Sequence, residues 1–236
     1  MKIKNKIAVF LTALLVSFSS SAMAFEGFSI GATYSSTDFS TKGTETTSAI
    51  TTAVLNGTLE ANSTTKTGSE DVGAIFAEYT FAQGSTIGIE YIPGDAEIGK
   101  ASRTQSNPTA DPATDASGTI TAKATISEYT RIYVEPTWMA NDRFGVFVKG
   151  GAAHLSVQPS YTETADVIQS TYKSEDVWGV MYGVGAKAYF GNVFIKAEYL
   201  ETEFGTYSHQ STTGNKNKIT ADVDMEETRV SIGYNF

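Results

Sequence analysis

Apolar and polar residues alternate along much of this chain with a period of two, as they do on the two faces of a β-strand. The last eight residues, "RVSIGYNF", show the pattern: Val230, Ile232, Tyr234 and Phe236 alternate with polar residues or glycine. Eight segments carry it, and each is predicted to be a strand. They are Gly27–Thr37, Val72–Phe81, Thr86–Ile92, Ser127–Trp138, Phe144–Val157, Val177–Phe190, Val193–Glu203 and Val223–Phe236.

The connections between these segments alternate between short and long. Short turns at one end and long loops at the other are typical of a transmembrane antiparallel up-and-down barrel, with the short turns in the periplasm. Eight strands then place both termini on the periplasmic side. A soluble β-sandwich, the alternative, gives no reason for this alternation. The short connections are Ala82–Ser85, Met139–Arg143 and Gly191–Asn192, and the four long ones, rich in Thr, Ser, Asp, Asn and Gly, are centred near residues 40–70, 94–125, 158–175 and 204–221.

The distribution of charge between the two faces of the strands tests this interpretation. In the apolar stretch of each segment, for example Val193–Tyr199 and Val230–Phe236, one set of alternate residues (one parity) is free of charge. Because a Lys or Arg that faces lipid at the bilayer midplane costs about 2–4 kcal/mol, we expect the uncharged parity to face hydrocarbon. The charges of the other parity, predicted to point inward, are Glu78, Glu90, Arg131, Glu135, Lys149, Lys187, Lys196, Glu198 and Arg229.

Aromatic residues of the uncharged parity lie at both ends of the strands. Amphipathic rings settle at the headgroup level of a membrane, so these residues predict two girdles that bound an apolar band. The girdle beside the short turns is Phe81, Trp138, Phe144, Phe190 and Phe236, and the girdle at the other end is Tyr34, Tyr91, Trp178 and Tyr199.

Pro136 is the one outward residue that does not fit a closed barrel. Proline has no N–H to donate to a neighbouring strand, and a barrel has no edge at which this is tolerated. We therefore expect a bulge or a water beside Pro136.

The interior of an eight-stranded barrel is just wide enough for side chains to fill it. An unpaired buried charge costs several kcal/mol, so the four inward acids and five inward bases predict a salt-bridge network that plugs the barrel. The alternative is a gated or narrow ion path whose salt bridges re-pair. Counted from the periplasmic girdle, the lowest layer is Glu78, Glu135, Lys187 and Lys196, the next is Glu90, Lys149 and Glu198, and Arg131 and Arg229 lie above them.

The amino terminus has the order of a secretory signal peptide: three lysines, an apolar run over Ile7–Phe18, and small residues up to Ala24. The apolar run of 12 residues is shorter than the ~20 that a spanning helix needs. We expect cleavage after residue 24, which leaves 25–236 as a single barrel domain of 212 residues.

Composition excludes several classes of function. Removal of the three signal lysines takes the formal net charge from −9 to −12, and so acidic a chain is not expected to bind nucleic acid. The sequence contains no cysteine, so disulfides and thiolate chemistry are excluded, and no cofactor is expected.

The segment "YGVGAKAYFGNVFIKAEYLETEFG" from Tyr182 to Gly205 resembles the OmpA-like and opacity-type outer-membrane β-barrel family. The resemblance implies an eight-stranded barrel in the outer membrane of a Gram-negative bacterium, with a role in envelope integrity, adhesion or minor channel activity. The ending "SIGYNF" is similar to the family's last strand, whose final Phe is recognised by the barrel-assembly machinery. The chain ends at the barrel, so tethering to peptidoglycan is not expected. The matching positions are Gly183, Gly185, Glu198, Tyr199, Phe204 and Gly205.

The pair His154 and Ser156 is the only candidate for catalysis. Lipid A deacylases are eight-stranded barrels that use a lipid-facing His-x-Ser pair for nucleophilic attack. In that family the pair lies near the penultimate strand, whereas Val193–Glu203 of this chain has no histidine and no partner carboxylate is evident. We expect a polar strand end here and no enzyme activity.

Acids crowd the predicted extracellular rim. Like charges on adjoining strands are destabilising unless a cation neutralises them. A divalent cation, which prefers oxygen ligands, is one candidate and would link the rim to lipopolysaccharide phosphate; a hydrated rim is the other. The acids are Asp222, Asp224 and Glu226 on the last strand and Glu201 and Glu203 on its neighbour.

These patterns together predict a non-enzymatic outer-membrane β-barrel protein with a structural, envelope-integrity or surface-adhesion role. A small-conductance porin is the main alternative, and a lipid A-modifying enzyme is the third. The expected partners are outer-membrane lipid and lipopolysaccharide, the barrel-assembly machinery, and a host or phage surface ligand of the Thr/Ser-rich loops.

Overall fold

The computed structural model describes residues 26–46, 61–107, 116–164, 172–212 and 218–236, and all regular structure in them is β-strand. These residues include no apolar helix of membrane-spanning length. The strands are β1 Gly27–Thr46, β2 Ala61–Thr80, β3 Thr86–Ile92, β4 Ala96–Asn107, β5 Ala116–Glu135, β6 Thr137–Met139, β7 Phe144–Thr164, β8 Glu175–Phe190, β9 Val193–Phe204, β10 Tyr207–Gln210 and β11 Lys218–Asn235.

Antiparallel pairing closes the sheet into a barrel. β1 pairs with β2 on one side and with β11 on the other. The ring continues from β2 through β3, β5, β7, β8 and β9 back to β11. β4, β6 and β10 extend β3, β5 and β9 after short interruptions, since each keeps a strand partner of the element that it extends. The barrel therefore has eight antiparallel strands, as predicted.

Side chains of the two parities lie on opposite faces of this sheet, because successive residues of a strand point to opposite sides. On β11, Val230 and Ile232 are 55% and 56% exposed, whereas Arg229 and Ser231 are each 2% exposed. Every exposed large hydrophobic side chain of the described residues belongs to the parity assigned to lipid. The barrel thus has an apolar outer surface and a polar interior.

The strands extend far into the segments that were predicted to be long loops, so this part of the prediction is wrong. The β1–β2 ladder continues to Thr46↔Ala61, and the β5–β7 ladder continues to Thr119↔Thr164. These extensions are rich in threonine, a β-branched residue that suits strands. Polar residues predominate in them, so the apolar alternation that marks a membrane strand is weak despite buried residues such as Phe39 and Ile126. His209, which was expected in a loop, lies in β10.

The expected bulge at Pro136 is also wrong. Thr137↔Phe147 continues the register of Val134↔Gly150, and Val148 donates its N–H to the Pro136 carbonyl at 3.2 Å. Pro136 ends β5 without displacing its neighbours. The bulge lies instead at Glu128, a residue with a φ of 55°, where the β5–β7 register shifts between Ser127 and Thr130.

The barrel wall is interrupted on one side. The β2–β3 ladder ends at Ile75↔Tyr91, and β4 then pairs with β5 alone among the described strands. The edge of β2 from Ala61 to Ala74 is therefore not paired with a strand in the described part of the chain.

Candidate functional site

Glu135 lies at the centre of the lower barrel interior and contacts three lysines. Its carboxylate oxygens are 3.0 Å from Lys187 Nζ, 3.0 Å from Lys196 Nζ and 3.2 Å from Lys149 Nζ. Lys196 also donates a short hydrogen bond to Glu78. All five side chains are at most 3% exposed. The lowest layer predicted from the sequence therefore forms one connected cluster.

The upper part of the interior continues this cluster. Lys149 donates to Glu198, whose other oxygen is 3.9 Å from Arg229 Nε. Arg229 donates to Glu90, and Arg131 Nη1 lies 3.5 Å from the same carboxylate. The predicted layers are thus joined into a single chain of ion pairs that crosses the lumen.

Glu227 completes this network and was not among its predicted members. Its carboxylate lies 2.7 Å from Arg131 Nη2, and it is 1% exposed. With Glu227 the interior holds five acids and five bases, so its formal charge is zero. The sequence contains the pattern that would have predicted it, because Glu227 lies two residues before Arg229 on the same parity of β11.

Strand register explains why these charges meet. Glu90 faces Arg131 across β3 and β5, and such opposite pairs stabilise an antiparallel sheet. Lys187 faces Lys196 across β8 and β9, an unfavourable like-charge pair. Glu135 reaches both ammonium groups from β5 on the other side of the barrel and neutralises them.

Aromatic rings fill the space between the ion pairs. Lys149 Nζ lies 4.3 Å from the centre of the Tyr133 ring, and Tyr133 donates its hydroxyl to Glu78 at 2.6 Å. The Phe194 ring lies flat against the wall at Gly233, where an added Cβ would be 2.3 Å from the ring. A larger residue at Gly233 would displace the ring, so glycine here makes close filling of the lumen possible.

Lys187 connects the network to the periplasmic end of the barrel. Its Nζ donates to the Gly84 carbonyl in the turn between β2 and β3 at 2.9 Å, and lies 3.3 Å from Thr86 Oγ1. The lowest ammonium group is therefore held by both a carboxylate and a turn.

An apolar cluster covers the network at the extracellular end. Tyr129 is stacked edge-to-face on Phe204, and Arg131 lies 4.6 Å from the Tyr129 ring. Tyr207 donates its hydroxyl to the Lys173 carbonyl at 2.9 Å, and burial raises the pKa of this hydroxyl to about 12. The buried members are Phe39, Ala74, Ile92, Ile126, Tyr129, Ala153, Leu155, Val157, Val177, Phe204, Tyr207, Val223 and Met225.

The aromatic side chains predicted to form girdles lie on the outer surface at the two ends of the barrel strands. Beside the short turns, Phe81, Trp138, Phe144, Phe190 and Phe236 are between 42% and 68% exposed. At the other end, Tyr34, Tyr91, Trp178 and Tyr199 are between 41% and 62% exposed. Rings in these positions suit the two headgroup levels of a bilayer.

His154 and Ser156 lie two residues apart on β7 and contact different neighbours. His154 stacks on Trp178 with ring centres 4.8 Å apart, and its Nε2 lies 3.9 Å from Asp176 Oδ2, a carboxylate that was not predicted there. Among the described residues no hydrogen bond joins His154 to Ser156, and Ser156 is 8% exposed. Nucleophilic attack needs the base within hydrogen-bond reach of the hydroxyl.

The rim acids of β9 and β11 lie opposite one another, as predicted. Hydroxyl groups of nearby side chains donate hydrogen bonds to four of the five carboxylates. Tyr182 lies 2.5 Å from Glu201 and 2.9 Å from Glu203, Tyr199 donates to Glu226 at 3.1 Å, and Thr206 donates to Asp222 at 2.5 Å. Within the described ranges, no group of three or more His, Asp or Glu side chains is placed to hold a metal ion. Register pairs Glu226 with Glu201 and Asp224 with Glu203.

The predicted signal peptide, residues 1–24, lies outside the described residues, as do 47–60, 108–115, 165–171 and 213–217 between strands. Cleavage after residue 24 stays a prediction.

A closed barrel of eight antiparallel strands, apolar outside and ion-paired inside, is the architecture of an integral outer-membrane protein. The model of the family described as "Outer membrane protein beta-barrel domain" matches residues 8–236. The chain belongs to this family, and it is an integral outer-membrane protein of the Gram-negative envelope.

Several solved outer-membrane barrels are similar to this chain. Ail of Yersinia pestis is 12% identical with a TM-score of 0.31, covering 84% of this chain and 98% of Ail. Neisserial surface protein A is 16% identical with a TM-score of 0.34, covering 87% and 99%. The outer membrane protease OmpT of Escherichia coli is 9% identical with a TM-score of 0.42, covering 92% and 99%. TM-scores and identities this low do not support an inference about function. No curated protein matches the chain.

Proposed function

We propose that this protein is a non-conducting, non-enzymatic barrel that supports the outer membrane and presents its extracellular strands at the cell surface. The observation that carries the proposal is the connected network of ten buried charges centred on Glu135. Its termini lie in the periplasm, and the strand ending in Phe236 is the segment read by the barrel-assembly machinery.

The network supports closure because any ion path through the lumen would have to separate its pairs. Removing one partner of a buried pair typically costs about 3–5 kcal/mol. Rings on both sides of the lysines fill the remaining space, since Lys196 Nζ lies 5.4 Å from the Phe76 ring centre and 5.5 Å from that of Phe194. Bulky rings between paired charges favour a plug over a pore.

The extracellular strands support the surface role. β1 continues for twelve residues beyond Tyr34, from the outer girdle to Thr46, which is about 40 Å of strand at ~3.3 Å per residue. Both of its neighbours, β2 and β11, stay paired with it over this length. A paired sheet of this reach suits contact with another surface.

Charge restricts the class of surface ligand. Ail was solved in complex with the heparin analogue sucrose octasulfate, a strongly anionic compound. The rim of this chain carries five carboxylates on β9 and β11, and the formal net charge without the signal is −12. We propose a neutral or cationic surface ligand, because like charges on the two partners would repel.

Planar-bilayer recording tests closure. The purified barrel is expected to give no steady openings. Glu135→Gln is expected to give small ones, because three lysines lose a carboxylate partner and Lys187, among the described residues, has no other. Asp142→Asn in the β6–β7 turn is the matched control and should behave as the wild type. Steady openings in the wild type that change with Lys149 or Glu90 substitution would establish the porin alternative instead.

Incubation with lipopolysaccharide tests the absence of catalysis. No fatty acid is expected to be released, because His154 has no hydrogen bond to Ser156 in the described structure. A released fatty acid that His154→Ala abolishes would contradict the proposal.

A further inference from the structure

A cavity of about 280 Å³ lies where the barrel wall is interrupted between β2 and β4. Glu70–Gly73 of β2 line one side of it, and Ile92–Glu97, which join β3 to β4, line the other. The last rung below the gap is Ile75↔Tyr91, and Gly73 pairs with Tyr34. The gap therefore opens at the level of the outer aromatic girdle.

The buried lining of this cavity is mostly apolar. Phe39, Ile126 and Met225 belong to it and are at most 4% exposed. Tyr129 also lines the cavity, with the Arg131 guanidinium 4.6 Å from its ring centre. Because Arg131 is held by Glu227 and Glu90, the cavity lies next to the extracellular end of the ion-pair network.

The mouth of the cavity is acidic. Four carboxylates line it, Glu70, Asp71, Asp95 and Glu97. Glu97 is paired with Lys123 at 2.9 Å, and Asp71 accepts a hydrogen bond from the Tyr34 hydroxyl. Neither Glu70 nor Asp95 has a cationic partner among the residues that the structure describes. An anionic mouth would repel phosphates and fatty acids and attract a cation.

The free edge of β2 adds hydrogen-bonding groups. In an antiparallel strand, residues alternate between pairing with one neighbour and with the other. β2 keeps its ladder with β1 along its whole length, so every second residue above Ile75 turns its N–H and C=O toward the gap. Carbonyl groups at the mouth are acceptors that suit an ammonium donor.

We propose that this cavity binds an organic cation with a small apolar body, such as a primary aryl-alkyl ammonium compound. The apolar part lies against Phe39, Ile126 and Met225, and the ammonium group lies at the mouth near Glu70 and Asp95. The volume lies just below the usual range for small-molecule pockets, about 300–1,000 Å³, which restricts the body to a single ring or a short chain. This binding site is independent of whether the barrel conducts.

Calorimetric titration of the barrel in phosphatidylcholine nanodiscs tests the proposal. The probes are 2-phenylethylammonium, the neutral 2-phenylethanol and the anionic 3-phenylpropanoate, which share the same ring and a similar length. Saturable binding of the ammonium compound alone is expected. Equal affinity for 2-phenylethanol, saturable binding of 3-phenylpropanoate, or no binding of the ammonium compound would overturn the proposal.

Two pairs of variants locate the site. The double variant Glu70→Gln/Asp95→Asn is expected to raise the Kd for the ammonium compound about tenfold, because a partly screened charge contact is lost. The control Glu201→Gln removes a rim acid that does not line the cavity and should leave the Kd unchanged. An equal loss in both would show that general surface charge attracts the probe, against the proposal.

The second pair compares two valines. Val72 of β2 lines the cavity on the inward parity and packs against the apolar cluster, whereas Val184 of β8 is 56% exposed on the outer face and does not line the cavity. Val72→Trp is expected to abolish binding and Val184→Trp to leave it intact, while both fold, as judged by their heat-modifiable migration on gels. Unchanged binding in Val72→Trp would overturn the location of the site.

Discussion

The lower interior of the barrel and the gap beside β2 differ in how their polar groups are satisfied. Around Glu135 the strand ladders are continuous, the charges are almost fully buried, and each has a partner. Beside Glu70 the ladder ends, the cavity has a mouth, and the acids are exposed. Charge is tolerated in the first region because it is paired, and in the second because it is hydrated. Closure of a barrel therefore depends on both pairing and ladder continuity.

Loss of the central acid is the largest change that can be made to the closed region. Glu135→Leu leaves three ammonium groups without their shared carboxylate, and removal of one partner of a buried pair costs about 3–5 kcal/mol. We expect the free energy of unfolding in urea to fall by at least this amount. A fall of less than about 1 kcal/mol would show that water already reaches these lysines.

The ion pair between Arg131 and Glu227 lies at the boundary between the two regions, and a double-mutant cycle measures it. Arg131→Met alone and Glu227→Leu alone should each destabilise the barrel by about 3–5 kcal/mol, whereas the double variant should lose much less than their sum. Urea unfolding of the four proteins gives the coupling energy. Strict additivity would contradict the pairing.

The same substitution at two glycines contrasts close packing with open space. Gly233→Ala places a methyl group 2.3 Å from the Phe194 ring, so the ring must shift, at a typical cost of about 1–3 kcal/mol. Gly68→Ala meets no atom within 4 Å and should leave stability nearly unchanged. Equal effects on urea unfolding would show that the lumen is not closely filled.

The exposed ion pair beside the gap should give the smallest effect. Lys123 and Glu97 are 2.9 Å apart, with side chains 42% and 41% exposed. Exposed pairs contribute about 0.2–1 kcal/mol, so Glu97→Gln should change the free energy of unfolding by no more than that, and the change should shrink in high salt. A loss as large as that of Glu135→Leu would mean that the gap is closed to water.

The membrane-spanning part of the fold could be predicted from the sequence because lipid enforces strict alternation. Segments such as Val193–Glu203 were placed within one residue of β9, Val193–Phe204. The extracellular strands were missed because water, not lipid, meets their outer face, so apolar residues are not required there. A threonine-rich strand then has the composition of a loop. The bulge at Glu128 was missed for a related reason, since its single extra residue leaves no mark in the apolar pattern.

The candidate site could also be predicted only in part: its charged residues could be identified, but their pairing could not. Parity alone identified nine of the ten buried charges, because each lies between uncharged neighbours on a spanning strand. Glu227 was missed because its neighbour Glu226 is a charged residue of the other parity, so the segregation of charge that marks the lumen ends at this level. Which acid pairs with which base depends on barrel closure, as the contact of Glu135 with lysines from β7, β8 and β9 shows, and a linear pattern does not contain it.

Nitroxide accessibility along β11 tests most directly the claim that one parity meets hydrocarbon and the other faces a closed lumen. The chain has no cysteine, so single cysteines at Val230, Ser231, Ile232 and Tyr234 give site-specific spin labels. Accessibility to oxygen dissolved in the bilayer should be high at Val230, Ile232 and Tyr234 and low at Ser231, and a water-soluble nickel reagent should reach none of the four well. Uniform accessibility along the strand, or strong nickel broadening at Ser231, would contradict the account.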